Sequence, residues 1–83
     1  MNRNVKIYGD MIEITITHCP AHYPKGVVYK KRYKTAKGAA EFYAHHSAMW
    51  YFNDKLNLPY WSNPEYKPRV YRRVLPIFKK LLP

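Results

Sequence analysis

Hydrophobic and polar residues alternate with period two near the start of the chain. Val5 and Ile7 alternate with Lys6 and Tyr8, and after Gly9-Asp10 the isoleucines Ile12, Ile14 and Ile16 alternate with Glu13, Thr15 and Thr17. Period two marks strands with one face buried, and Gly-Asp tolerates the positive φ of a tight turn, so residues 4–17 are predicted to form a β-hairpin. Pro20, Pro24 and Gly26 break the alternation and predict a loop over 18–26. A third strand is predicted over 27–34, with Val27, Tyr29 and Tyr33 on one face and Val28, Lys30, Arg32 and Lys34 on the other.

The period then changes. Thr35 is a suitable N-cap for a helix over 36–53, although Gly38 stands where a capping box would place Glu or Gln. Ala36, Ala40, Ala44 and Ala48 recur every fourth residue, a strip of small side chains that lets a helix lie close to a sheet. Asn53-Asp54 and Asn57-Leu58-Pro59 end this helix. A C-terminal helical segment is expected over 64–82, where Val70, Tyr71, Val74, Leu75 and Phe78 make an apolar stripe opposite Arg69, Arg72 and Arg73. Asn63-Pro64-Glu65 resembles a helix start, yet Pro68 would then remove a backbone bond. Either 63–67 is a separate turn or the helix begins at Pro68, and Pro76 is expected to kink or interrupt it. The fold class is therefore α+β: a three-stranded antiparallel sheet packed on one long helix, plus a short kinked C-terminal helix, in a single domain spanning 1–83.

Composition supports a folded chain. With 83 residues, 47% hydrophobic and 17% aromatic, it is short but holds much buryable area in its rings. No apolar run approaches the roughly 20 residues that cross a bilayer. Met1-Asn2-Arg3-Asn4 leads straight into strand pattern, and the lone Cys19 has no internal partner, so an intracellular, cytoplasmic protein is expected.

Charge adds the functional signal. The net charge is +10, and its distribution is uneven. Residues 1–24 are neutral, residues 25–38 hold six basic and no acidic side chains, residues 39–64 carry −1, and residues 65–83 hold six basic and one acidic. In the first basic block Lys30, Lys31, Arg32, Lys34 and Lys37 interleave with Tyr29 and Tyr33, a mixture suited to phosphate contact and base stacking. A solvated face kept basic against edge-to-edge aggregation explains the same residues. In the second block Arg69, Arg72 and Arg73 share a helix face, followed by Lys79 and Lys80. Arginine's planar fork matches phosphate or carboxylate, though any amphipathic helix needs a polar side.

Other constellations carry less. His18, Cys19 and His22, with His45-His46, are zinc-type ligands, but their spacing fits no standard finger, and adjacent helical histidines point about 100° apart. The five carboxylates are scattered, and neither a phosphate loop nor a nucleophile motif accompanies them. No catalytic site, metal or other cofactor is expected. Met49-Trp50-Tyr51-Phe52 places large apolar residues all around one helical turn, with Tyr60-Trp61 nearby. These residues are core beneath the C-terminal helix, or else Trp50, Tyr51 and Trp61 anchor a protein partner or a homodimer.

Residues Val28 to Ala40 combine a basic aromatic strand, a Thr cap and an Ala-rich helix start. The run resembles the last strand and helix of the small three-strand-plus-helix DNA-binding domains, which include recombinase arm-binding and AP2 types. The resemblance covers about 25 residues in detail, and implies a sheet that enters the major groove with Lys30, Arg32 and Lys34 among the contacts. The chain departs from that pattern in its weakly charged first two strands and its extra C-terminal segment. In size and composition it is also similar to phage accessory proteins, some of which inhibit host or defence machinery. The function expected is binding of nucleic acid, DNA ahead of RNA, through phosphate contacts. The alternative is a small inhibitor or adaptor docking on an acidic protein surface. No membrane partner is expected.

Overall fold

The computed structural model describes residues 2–18 and 26–82. Strands β1 (Asn2–Tyr8), β2 (Met11–His18) and β3 (Val27–Tyr33) form one antiparallel sheet in the order β1-β2-β3. Helix α1 (Ala36–Ala48) continues into a π-helical segment (Met49–Lys55), and α2 (Tyr66–Leu81) follows after a connection.

The hairpin closes on Gly9-Asp10, with Tyr8 opposite Met11. Gly9 has φ 64°, whereas Asp10 keeps a negative φ. Glycine at the first central position of a two-residue loop is the II′ arrangement, whose twist matches that of the strands it joins. The register is fixed from there: Lys6 faces Glu13 across β1 and β2, and Glu13 faces Arg32 across β2 and β3.

Ile12, Ile14 and Ile16 are completely buried on the inner face of the sheet. Each contributes about 1.5–3 kcal/mol by leaving water. They pack against the predicted alanine strip, Ala36, Ala40 and Ala44, joined by Ala39. Thr35 caps α1 as expected, its Oγ1 accepting from the Gly38 amide at 3.1 Å. The missing capping-box side chain has a steric cause. A Cβ at Gly38 would lie 2.9 Å from Cδ1 of Tyr33 and 3.2 Å from the Thr35 hydroxyl.

Helix α2 completes the inner layer. Val70, Val74 and Phe78 recur every fourth residue and join the same core as the isoleucines. The uncertainty over Pro68 resolves simply. The Asn63 side chain accepts from the Glu65 amide at 3.0 Å, and the first helical residue is Tyr66, so Pro68 falls in the opening turn, where amide donors lack partners anyway. Pro76 does not interrupt α2, which runs through it to Leu81. Proline removes only its own bond, and the apolar stripe on both sides of it holds the helix to the core.

The long helix departs from expectation after Ala48. It continues two residues past Asn53 and widens into π winding, with the Leu56 amide bonded to the Tyr51 carbonyl at 3.2 Å. The wider turn disperses the four large residues that crowd 49–52. Phe52 is buried, while Tyr51 stacks on Tyr66 with centroids 5.0 Å apart.

Candidate nucleic-acid interface

The cations on the outer face of the sheet and those of α2 point to different sides of the protein. Alternation along the strands puts Lys6, Glu13, Lys30 and Arg32 on the outer face of the sheet, away from both helices. The cations of α2 are turned the other way. Its buried stripe of Val70, Val74 and Phe78 faces the core, so Arg69, Arg72, Arg73, Lys79 and Lys80, all exposed, lie on the side away from that core.

The outer sheet face is organised around one acid. Glu13 is only 2% exposed although no further layer covers it. Its cover is made of cations: Arg32 Nε donates to Oε2 at 2.8 Å, while Lys6 Nζ lies 3.3 Å and Lys30 Nζ 3.8 Å from Oε1. The Arg32 hydrogen bond, helped by Lys6 and Lys30, holds the Glu13 carboxyl below its ordinary pKa against the opposing effect of burial. Arg32 also lies over the Tyr8 ring, 3.7 Å from its centroid. The first basic block, which holds no acid of its own, is therefore partly balanced from another strand. The acid comes from β2, 19 residues earlier in the chain.

The remaining residues of that block disperse. Lys31 pairs with Ile14 and so sits on the helix side of the edge strand, apart from Lys30 and Arg32. Lys34 follows the end of β3 and Lys37 lies on α1, both exposed. The outer sheet face thus keeps Lys30 and Arg32 of the expected set, gains Lys6, and loses Lys34, which lies beyond the end of β3. Counting outward from Gly9-Asp10 pairs Lys6 with Glu13 and could have found that contact. The loop before β3 gives no such count for Arg32.

On α2 the charge is simpler. None of its 16 residues is acidic, and the nearest acid along the chain is its N-cap, Glu65. Glu65 borders a shallow hollow with Pro64, Pro68, Arg69 and Arg72. Lys67 lies off this face and reaches Glu41 on α1 at 3.5 Å.

No family model, curated protein or solved structure matches the chain. Its surfaces are left to speak for its function.

The aromatic candidates separate by burial. Trp50 and Tyr51 are half-buried, each with the Lys55 ammonium over its ring at 5.5 and 5.7 Å respectively. Trp61 is 66% exposed and stands with Leu56, Leu58 and Tyr60, also exposed, in the connection before α2. His46 faces inward from α1. It is buried, with its ring 4.5 Å from Tyr29 and 4.4 Å from Phe42. His45 is half-buried beside Tyr60, and burial followed by the charge of Lys67 lowers its pKa. Cys19 and His22 lie outside the described residues. Among the described residues no three His, Cys, Asp or Glu side chains gather as a metal site, and no helix is long and apolar enough to cross a membrane.

Proposed function

We propose that this chain is a non-catalytic protein that binds nucleic acid by gripping phosphates with the outward face of α2. The observation that carries this is the run of Arg69, Arg72, Arg73, Lys79 and Lys80 on an exposed helix face with no acid within the helix. A net charge of +10 repels itself within a small domain, and phosphates relieve that repulsion while releasing counterions. A helix about 10–12 Å across fits the B-DNA major groove, about 12 Å wide, whereas the major groove of A-form RNA is too narrow for it. This favours DNA over RNA. Arginine forks give the phosphates bidentate partners.

The test is fluorescence anisotropy with single- and double-stranded DNA and RNA at two salt concentrations. Reversing Arg69, Arg72 and Arg73 to Glu should weaken binding and lower the slope of log K against log salt by about 3. Undiminished binding by that variant, once its fold is verified by circular dichroism, rejects α2 as the binding face.

A second reading has its own observation in the exposed group Leu56, Leu58, Tyr60 and Trp61. Exposed aromatics rimmed by polar residues anchor protein partners, so a small inhibitor or adaptor docking on an acidic protein would use Trp61. That function requires loss of Trp61 to weaken capture of the acidic partner, which phosphate binding by α2 does not.

A further inference from the structure

We infer that one copy of this chain bridges two nucleic-acid duplexes, one on the outward face of α2 and the other on the outer face of the sheet. The inference rests on α2 binding nucleic acid as proposed above, and adds a second site with the same ligand. Lys6, Lys30 and Arg32 converge on Glu13 within 3.8 Å, so one buried carboxylate gathers three cations that would otherwise repel each other. Three cations less one carboxylate leave +2 on this patch. Glu13 does not exhaust them: each ammonium has three donors and the guanidinium five, and all three side chains are 41–59% exposed. Tyr8, 49% exposed beside Arg32, adds a ring surface at the same place.

The faces cannot serve one straight duplex. The exposed cations of α2 point away from the core that Val70, Val74 and Phe78 share with Ile12, Ile14 and Ile16, and the Glu13 cluster lies on the other side of the strand that carries those isoleucines. The protein is a slab with Cα extents of 38 × 29 × 12 Å. A duplex on one broad side would have to bend sharply around the slab to reach the other, at a deformation cost that a second duplex avoids. The sites are also unequal, five cations on α2 against a net +2 on the sheet, so the α2 site fills first and the weaker sheet site is emptied at lower salt, although its own salt slope is shallower.

A two-duplex capture experiment tests this. One duplex is immobilised, the chain is added below saturation, and retention of a second, labelled duplex is measured in about 50 mM salt. Anisotropy with a single duplex and sedimentation of the free chain run alongside. Wild type should retain the labelled duplex. Neutralising the sheet patch as a set (Lys6→Gln, Glu13→Gln, Lys30→Gln and Arg32→Gln) should cut retention by about tenfold while single-duplex affinity changes little. Glu13→Gln alone raises the patch charge by one and, with its fold verified by circular dichroism, should increase retention. Single-duplex binding without retention overturns bridging and leaves the α2 proposal standing. Retention that survives neutralisation of the patch also overturns it, and a dimer in sedimentation would then identify self-association as the source of the second site. Absence of single-duplex binding removes the α2 site and the bridge with it.

Discussion

Arg32 Nε donates to Glu13 Oε2 at 2.8 Å across β2 and β3, joining a strand that is basic in sequence to one that is nearly neutral. This contact sets the pH dependence of the sheet. The Glu13 pKa is lowered in the folded chain, chiefly by Arg32, so its stabilisation is fully present above the unfolded glutamate value. It is lost as pH falls through the depressed folded value. Thermal unfolding should therefore show wild type more stable than Glu13→Gln near pH 7, with the gap closing below about pH 4. A gap independent of pH would mean that packing, rather than charge, accounts for the cluster.

His45 should act in the same direction at higher pH. Burial and the Lys67 charge lower its pKa, outweighing Glu41, so the unfolded chain takes up the proton first as pH falls. The contribution is complete above about pH 6.5 and declines as pH drops through the folded value. Stability should thus fall as pH drops below about 6.5, and His45→Gln should flatten that slope. An unchanged slope in the variant would assign the titration to another group.

The two halves of α1's start pull in opposite directions on substitution. Thr35→Ala removes the hydroxyl that accepts from the Gly38 amide and should cost about 1 kcal/mol. Gly38→Ala gains helix propensity of up to about 1 kcal/mol, yet its Cβ meets the Tyr33 ring at 2.9 Å. That ring is itself held 5.6 Å from Phe42, so it has little freedom to retreat. Net destabilisation of about 1 kcal/mol is expected in denaturant unfolding, with an unchanged m-value. A stabilised Gly38→Ala would show that Tyr33 turns aside at little cost.

These cases show what was legible in the sequence. The hairpin, the Thr35 cap and the alanine strip were legible because each depends on neighbours within one turn or one strand pair. The three-stranded sheet with two helices followed from those periods. The Glu13 cluster was not legible because its Arg32 partner arrives across a connection whose length leaves the register open. The π winding at 49–55 accompanies ring contacts of Tyr51 and Phe52 with Tyr66 of α2, a tertiary arrangement for which local sequence has no period. Pro76 was read by a local rule that packing of Val74 and Phe78 overrides.

Pro76 gives a prediction of its own. It lies inside α2 on an exposed position, and as proline it denies the Arg72 carbonyl its helical partner. Pro76→Ala should stabilise the chain by about 1–3 kcal/mol, less whatever proline contributes by restricting the unfolded state. Each kcal/mol corresponds to about 4–8 °C in Tm for a domain of this size. A lower Tm would mean that the helix is shaped around the proline and that the apolar stripe depends on it.

Trp61 and Phe52 separate the aromatic residues that hold the fold from those free to meet a partner. Phe52 is 6% exposed and lies edge-on to Tyr66 with centroids 5.3 Å apart, so Phe52→Ala should cost about 3–5 kcal/mol. Trp61 is 66% exposed, and its ring contact is with Tyr60, itself exposed. Trp61→Ala should change stability by less than about 0.5 kcal/mol. The variant is therefore a clean probe of function. Phosphate binding by α2 predicts unchanged DNA affinity and salt slope, because Trp61 lies outside that helix. A protein-docking function predicts instead that Trp61→Ala and Arg72→Glu both weaken capture of an acidic partner, and that neither loss is accompanied by a fall in Tm. Weakened DNA affinity in Trp61→Ala would extend the phosphate-binding face beyond α2, with the indole stacking on an unpaired base.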